Sequence, residues 1–301
     1  MSLSSAKPSS VDGESVSSVD NSTKFSDEEA KARTEQLLED LKRLPTQPSA
    51  AMRVLWALGD TDTSAGELAR LVEADPALST RIMQLANTAQ YGLFRRVSSA
   101  AHAIMVVGFV SVRSLAVSSA CGLFVDKRRS VPENYWSHSA ATAAASSVIA
   151  EYTDAPISDA FSAGLLHDLG IALLFRQSPE TYDTVVERAA ELGSLCEAER
   201  EILGADHVWV AASVLEAWHF PAPFTQAIGG HHGDPASADP LTQAVIAGKA
   251  LAEHLGFTMG YDPVRDPAEV LEAVGIDVSR MDGVLQRVAL QVDELAHLFS
   301  W

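Results

Sequence analysis

The sequence predicts an all-α protein built from many short helices, and three observations support this fold class. Apolar residues recur at helical spacing, as in Leu37, Leu38, Leu41 and Leu44 near the start of the chain. Aromatic residues make up only 7% of the chain and alanine and leucine are common, which favours helices that pack closely through small side chains. No segment alternates β-branched and polar residues in the way that indicates a strand.

Capping residues and chain breaks place the individual helices. Residues 1–25 are rich in serine and poor in large apolar side chains, so we expect a disordered tail. Capping boxes at Ser26 with Glu29 and at Ser64 with Glu67 open two early helices, and the first ends at Leu44. Further helices are predicted at about 77–89, 98–107, 109–125, 133–152, 158–176, 179–192, 195–203, 207–218, 221–230, 237–256, 267–274 and 277–299. A charged turn at 126–132 divides the helices into an N-terminal lobe, residues 26–130, and a larger C-terminal lobe, residues 131–301.

The net charge of −18 argues against two classes of partner. A nucleic-acid-binding protein needs a basic face to displace counterions, and docking on anionic lipid needs the same. Basic residues do cluster at Arg95 with Arg96 and at Lys127, Arg128 and Arg129, but we interpret them as solvated charges on turns. We therefore expect neither a nucleic-acid nor a membrane partner.

The same chain carries no recognisable export or membrane signal. Its N-terminal residues lack the apolar core of a signal peptide. No run approaches the roughly 18 uninterrupted apolar residues of a membrane span. The two cysteines, Cys121 and Cys196, have neither a disulfide pattern nor zinc-site spacing, and we expect both to be buried. These features predict a cytoplasmic protein.

Histidines and one aspartate form the candidate site. Five of the nine histidines lie in four short motifs, YWSHSA, GLLHDLG, GADHVWV and AIGGHHGD. The residues concerned are His138, His167, Asp168, His207, His231 and His232. Each motif lies on or at the end of a different predicted helix, which is the arrangement that builds a metal site inside a helical bundle. Imidazole and carboxylate ligands suit iron, manganese, zinc or nickel, and such an ion activates water for attack on phosphorus. The alternative is that each histidine is a core residue hydrogen-bonded to a carbonyl, and spacing alone leaves both interpretations open.

The order of these motifs resembles the HDOD domain family, which is related to the HD and HD-GYP phosphohydrolases. The resemblance covers roughly residues 38–255. In the N-terminal lobe it depends on LKRLPTQPSA, EADPALSTRIMQLANTAQYG and SSAAHAIMVVGFVSVRSLAV. In the C-terminal lobe it depends on YWSHSAATA, FSAGLLHDLGIALL, DHVWVAASVLEAWHFP and IGGHHG. It implies an all-helical fold with an HD-like C-terminal lobe, and a role in bacterial signalling as an output domain that is generally regarded as non-catalytic.

The resemblance also implies a set of ligands and two departures from it. In HD-GYP enzymes the places of the six residues named above ligate a binuclear metal centre. Those enzymes carry a further aspartate on the next helix, and Gly248 in AVIAGKALA is expected at that position. The GYP signature is absent, since the chain reads HHGDPASADP after the histidine pair. Loss of one carboxylate predicts a mononuclear site on Asp168, His207, His231 and His232, or a vacant site whose histidines hydrogen-bond each other through water. Asp206 or Asp234 could instead supply the missing acid.

Two functions of different classes follow. The favoured one is a non-enzymatic signalling module that binds a partner protein, or that reports a bound ligand such as a nucleotide by shifting its helices. The alternative is a metal-dependent phosphohydrolase acting on a nucleotide or cyclic dinucleotide. In that case Asp168 would hold the metal and orient its hydroxide, and Lys249 would contact phosphate. Direct DNA binding is disfavoured by the charge.

Overall fold

The computed structural model describes residues 50–59, 63–88, 96–120, 131–218 and 220–299, together with Glu39 and Tyr91. In these residues all regular structure is helical and no strand is formed, so the predicted fold class is confirmed. The predicted tail at 1–25, most of the predicted helix at 26–44, and the basic turn at 127–129 lie outside the described residues, as do Arg95 and Cys121.

Of the four helices described before residue 121, three lie close to predicted ranges, and the one at 50–59 was not predicted. They are α1 (Ala50–Gly59), α2 (Ala65–Glu73), α3 (Pro76–Ala86) and α4 (Ala100–Ala120). Ser64 caps α2 through the predicted box, because its Oγ accepts from the backbone N–H of Glu67 at 3.2 Å. Gly108 has φ +79° and kinks α4, which confirms the predicted break between two helical stretches. Only glycine takes up this backbone conformation readily.

The C-terminal helices surround one buried helix. They are α5 (Tyr135–Ala150), α6 (Ile157–Leu166), α7 (Leu169–Gln177), α8 (Pro179–Leu192), α9 (Leu195–Leu203), α10 (His207–Ala217), α11 (Ala222–Gly230), α12 (Pro240–His254), α13 (Pro267–Ala273) and α14 (Met281–Phe299), with 3₁₀ turns at Pro235–Ser237 and Val278–Arg280. Every residue of α5 except Ser137 is buried. Because most of its side chains are alanine or serine, α6, α12 and α14 all pack closely against it.

Two glycines make the closest of these approaches. A Cβ on Gly164 of α6 would lie 2.8 Å from the backbone of α5, and a Cβ on Gly248 of α12 would lie 2.6 Å from the backbone nitrogen of Ser146. Real Cβ atoms do not come so near, so both helices need glycine there. Gly248 therefore faces Ser146 of α5, and its role is in packing.

One predicted helix is interrupted at a site motif. The segment predicted as a single helix at 158–176 forms α6 and α7, and the chain changes direction at His167 and Asp168, where Asp168 has φ −101° and ψ 20°. Consecutive residues on a continuous helix point about 100° apart. The break lets the adjacent histidine and aspartate reach the same interior space.

Two helical stretches, Ala100–Ala120 and Ile157–Gln177, are long and apolar enough to cross a membrane by length and composition. In an apolar 18-residue segment of each stretch, 56% and 83% of the residues are buried in the fold. Burial of this kind is what core helices of a soluble protein show, and the second stretch is broken at the His–Asp pair.

Candidate metal centre

The structure brings all six predicted site residues together, although they come from five separate helix ends. His138 lies in the first turn of α5, His167 follows α6, and Asp168 precedes α7. His207 begins α10, and His231 with His232 follow α11. Two groups form in which the potential ligand atoms lie within 4.8 Å of one another: Asp168, His207, His231 and His232 in one, and His138, His167 and Asp168 in the other.

Asp168 lies at the centre and joins the two groups. Its Oδ2 is 3.2 Å from Nε2 of His138 and 3.0 Å from Nε2 of His167. Its Oδ1 is 3.3 Å from Nε2 of His231 and 3.6 Å from Nε2 of His207. The carboxylate is 0% exposed, and each of its oxygens faces a different set of imidazoles.

Three of these imidazoles are oriented by backbone carbonyls. Nδ1 of His138 lies 2.8 Å from the Phe257 carbonyl, and Nδ1 of His231 lies 2.7 Å from that of Ile228. Nδ1 of His167 is 2.8 Å from the carbonyl of Gly164. Because a carbonyl only accepts, each Nδ1 carries the proton, and in the neutral ring Nε2 presents a lone pair to the cluster. Burial lowers the pKa of His167 to about 3 and lowers that of His231, so both rings are neutral near pH 7.

His207 is oriented by a buried carboxylate that the sequence pattern did not single out. Oε2 of Glu199 accepts from Nδ1 of His207 at 2.6 Å and from its backbone N–H at 2.8 Å. Oε1 of the same carboxylate accepts from the Tyr182 hydroxyl at 2.6 Å. Burial works against a charged ring, but Glu199, Cys196 and Asp168 together raise the pKa of His207 well above its usual range. A metal ion at Nε2 would therefore displace a proton as it binds.

The cluster has many acceptors and few donors. Among the described buried atoms, both oxygens of Asp168 and Nε2 of His231 have no hydrogen-bond partner. Burial would raise the pKa of Asp168, but the positive charge of Lys249 helps to hold that pKa well below its usual range. Converging lone pairs around a buried carboxylate are costly without a cation. The donor set of imidazole nitrogens and one carboxylate therefore fits a metal ion, and suits a first-row ion such as iron, manganese, zinc or nickel.

A small cavity adjoins the cluster and is lined by Lys249. Its volume is about 10 Å³, and its walls include His138, Asp168, Glu253 and residues 258–262. The Lys249 side chain is only 12% exposed, and its Nζ lies 4.0 Å from a carboxylate oxygen of Glu253. A cavity of this size holds about one water molecule.

Gly248, which was expected at the position of the missing acid, faces a neighbouring helix. Gly248 points at Ser146 of α5, where a side chain would collide with Oγ at 2.3 Å. Lys249, the next residue, lines the cavity beside Asp168. An ammonium group, and not simply a missing side chain, therefore faces the cluster from α12.

Neither of the two alternative carboxylates joins the cluster. Asp206 caps α10 by accepting from the Trp209 N–H at 2.8 Å, and its other oxygen pairs with Arg200. Asp234 accepts from the N–H of Ala236 at 3.1 Å. Both cap the start of a helical segment, and neither belongs to a ligand group among the described residues.

Two histidines outside the motifs, His102 and His254, are exposed. His219 and the side chain of His297 lie outside the described residues. Cys196 is only half-buried, with Sγ 4.0 Å from Nδ1 of His207, so it is not the buried core residue expected.

A helical bundle with a His–Asp pair at a helix break, and further histidines delivered by neighbouring helices, defines a protein of the HD-domain type. The HDOD domain family model matches residues 44–234, which is more than half of the chain. The chain therefore belongs to the HDOD domain family.

Solved structures share the fold across most of the chain. A protein named as a phosphohydrolase from Shewanella amazonensis has a TM-score of 0.66 at 23% identity, covering 87% of this chain and 97% of that one. A protein named for signal transduction from Marinobacter aquaeolei has a TM-score of 0.65 at 22% identity, with 93% and 68% covered. An HDOD domain protein of unknown function from Geobacter sulfurreducens has a TM-score of 0.59 at 25% identity, with 89% and 98% covered. The first two identities are low enough that they establish the fold alone.

A curated relative is an uncharacterized protein of Treponema pallidum, 25% identical over 227 residues. The alignment covers 73% of this chain, and the chain spans 44% of that relative's length.

Proposed function

We propose that this protein is a regulatory output module that does not catalyse a reaction, and that it holds one metal ion on Asp168, His207, His231 and His232. Four ligand atoms satisfy a first-row ion without help from substrate. The ion would join the ends of α6, α10 and α11 through one carboxylate. Its presence or absence would then change how these helices pack, and a partner protein would read that change.

The single observation that carries this proposal is the small volume of the cavity beside the cluster. Its volume of about 10 Å³ leaves no space for a phosphoester next to Asp168. Lys249 and residues 258–262 form part of its wall and narrow the space beside Asp168. A site that binds a metal but excludes substrate is suited to a structural or sensory role.

The chain's own residues explain why such a site is rigid. Backbone carbonyls hold His138, His167 and His231, and Glu199 holds His207, so each ring is oriented before any ion arrives. Ligands held in this way lose little freedom on binding. When bound, the ion would supply positive charge and Lewis acidity at Asp168.

The proposed partner is a signalling protein in the cytoplasm. A net charge of −18 disfavours nucleic acid and anionic membranes, and it suits a partner with a basic surface. The name of the similar Marinobacter structure points in the same direction. A nucleotide remains the alternative small ligand, and Lys249 is the residue that would meet its phosphate.

The second candidate function is a metal-dependent phosphohydrolase, and the bridging position of Asp168 favours it. Its two oxygens face the two ligand groups, which is the geometry of a carboxylate shared by two ions. In this scheme Asp168 would hold the metal and orient an attacking hydroxide, and Lys249 would bind the phosphate. Residues 258–262 would first have to open.

Metal analysis combined with a hydrolysis assay separates the two functions. We expect the wild-type protein, purified without a histidine tag, to contain about one ion per chain, and we expect Asp168→Ala and His231→Ala to lose it. His254→Ala is the matched control, since that histidine is exposed. Bis-p-nitrophenyl phosphate with manganese or iron should not be hydrolysed. Turnover by the wild type that Asp168→Ala abolishes would make the protein a phosphohydrolase.

A further inference from the structure

We infer that Lys249 serves as a built-in cation of this centre and restricts it to one metal ion. The inference deepens the proposed function and depends on its metal site. According to this inference, a residue of α12 that is not itself a ligand determines how many ions the centre binds.

The packing of α12 directs this residue toward the cluster. Gly248 is pressed against Ser146 of α5, with 2.6 Å from an ideal Cβ to the backbone nitrogen. That contact fixes the rotation of α12 about its axis, and the next residue turns by about 100°. Lys249 consequently lines the same cavity as His138 and Asp168.

Lys249 is largely buried, and nearby carboxylates favour the charged form of its ammonium group. Its side chain is 12% exposed and the paired Glu253 side chain is 9% exposed. Burial opposes the ammonium, but Asp168 and Glu253 raise the pKa of Lys249. A surface lysine would extend its ammonium group into solvent. Lys249 instead lies inward, with its Nζ 4.0 Å from a carboxylate oxygen of Glu253.

The two ligand groups differ in the number of ligand atoms that they offer to an ion. The group formed by Asp168 with His207, His231 and His232 offers four ligand atoms. The group formed by His138, His167 and Asp168 offers three, and its only carboxylate is the one shared with the first group. A second divalent ion would bring two more positive charges beside an ammonium, with no additional carboxylate to offset them. The four-ligand group therefore keeps its ion and the three-ligand group does not.

Charge reversal at position 249 tests the inference. Metal per chain would be measured by elemental analysis after dialysis against manganese or zinc, and stepwise binding by calorimetric titration. We expect about one ion in the wild type and about two in Lys249→Asp, because the new carboxylate both removes the repulsion and completes a second site. In Lys249→Met, which removes the charge alone, we expect a second, weaker binding phase. Gly248→Asp is the control, and it should lose stability without gaining an ion.

The possible outcomes distinguish a failure of this inference from a failure of the proposed metal site. Two ions in the wild type would overturn the role of Lys249 and leave the metal site in place. One ion in the wild type and in both folded Lys249 variants would also overturn it. No ion in any protein would reject the proposed metal site and this inference together. Circular dichroism of each variant establishes that it is folded, and Lys249→Met serves if Lys249→Asp is not.

Discussion

At the scale of single residues, the candidate site is defined by the direction in which hydrogen bonds run. Backbone carbonyls accept hydrogen bonds from the Nδ1–H groups of His138, His167 and His231. These bonds orient the rings so that their Nε2 lone pairs point into the cluster. Asp168 then meets acceptors on both of its oxygens. A histidine hydrogen-bonded to a carbonyl is also what an ordinary core residue shows, so the two interpretations left open by the sequence share this feature. Convergence on one carboxylate is what separates them.

Glu199 should matter to metal binding although it is not a ligand in either interior group. Replacing it by alanine removes the acceptor that orients His207, and we expect metal affinity to fall by about 10- to 100-fold. Glu199→Gln keeps an oxygen facing Nδ1 and should stay closer to the wild type. Calorimetric titration measures the affinity, and ¹⁵N NMR of the histidine rings shows whether His207 keeps its proton on Nδ1. If both variants bound the metal with the affinity of the wild type, Glu199 would support only the fold.

At the scale of helices, glycines set the distances on which the site depends. In GLLHDLG, Gly164 lets α6 approach α5, and Gly170 lets α7 approach the start of α10. A Cβ on Gly170 would lie 2.0 Å from the carbonyl oxygen of His207. The first contact draws His167 toward His138, and the second draws Asp168 toward His207. The motif therefore encodes two helix contacts as well as two candidate ligands.

Gly170→Ala should destabilise the protein far more than a typical glycine substitution in a helix. The methyl group must push α7 away from backbone atoms, so we expect the free energy of unfolding to fall by about 3 kcal/mol or more. Gly283→Ala in α14 is the matched control, because its Cβ would meet nothing within 4 Å. That change should be neutral or stabilising by up to about 1 kcal/mol. Urea denaturation measures both, and a similar small effect for the two would contradict the close contact.

At the scale of the whole molecule, the site joins parts of the chain that are distant in sequence. His138 and His232 are separated by most of the C-terminal helices, and α5 is the element against which α6, α12 and α14 pack. An ion at Asp168 would therefore stabilise the folded state as a whole, since the unfolded chain cannot assemble these ligands. This coupling between binding and packing is what an output module requires.

Metal-free protein should lose stability as the pH falls below about 6.5. Burial lowers the pKa of His167 to about 3 and lowers that of His231, whereas the unfolded chain protonates both near 6.5. Between these values the unfolded state binds more protons, so the free energy of unfolding decreases on acidification, approaching about 1.4 kcal/mol per pH unit for each such histidine. His207, whose pKa is raised, is protonated in both states below that pH and adds nothing to the slope. Urea denaturation with a chelator at pH 7 and pH 5.5 measures the effect.

The free energy of unfolding should depend less on pH in His167→Gln than in the wild type. Removing one buried histidine with a lowered pKa makes the dependence on pH shallower. A free energy of unfolding that stays constant from pH 7 to pH 5.5 in the wild type would show that these rings do not resist protonation in the folded state.

Much of this architecture is readable from local sequence signals. The capping box at Ser64, the break at Gly108 and most helix bounds depend on neighbours within a few residues, so they were predicted correctly. The helix break at His167 was missed because its apolar pattern continues across the break. Glu199 was missed because a glutamate in an amphipathic helix has the same pattern whether it is solvated or buried against a histidine.

The sequence by itself determined the helical class, the family and the identity of the converging histidines, because periodicity, caps and motif order are properties of a linear chain. Only the tertiary structure decided which side chains of α12 face inward. A shift of one residue rotates a helical side chain by about 100°, and the contact of Gly248 with Ser146 selects Lys249 as the residue beside Asp168. The small cavity and the support of His207 by Glu199 were decided in the same way, since both depend on parts of the chain that meet only after folding.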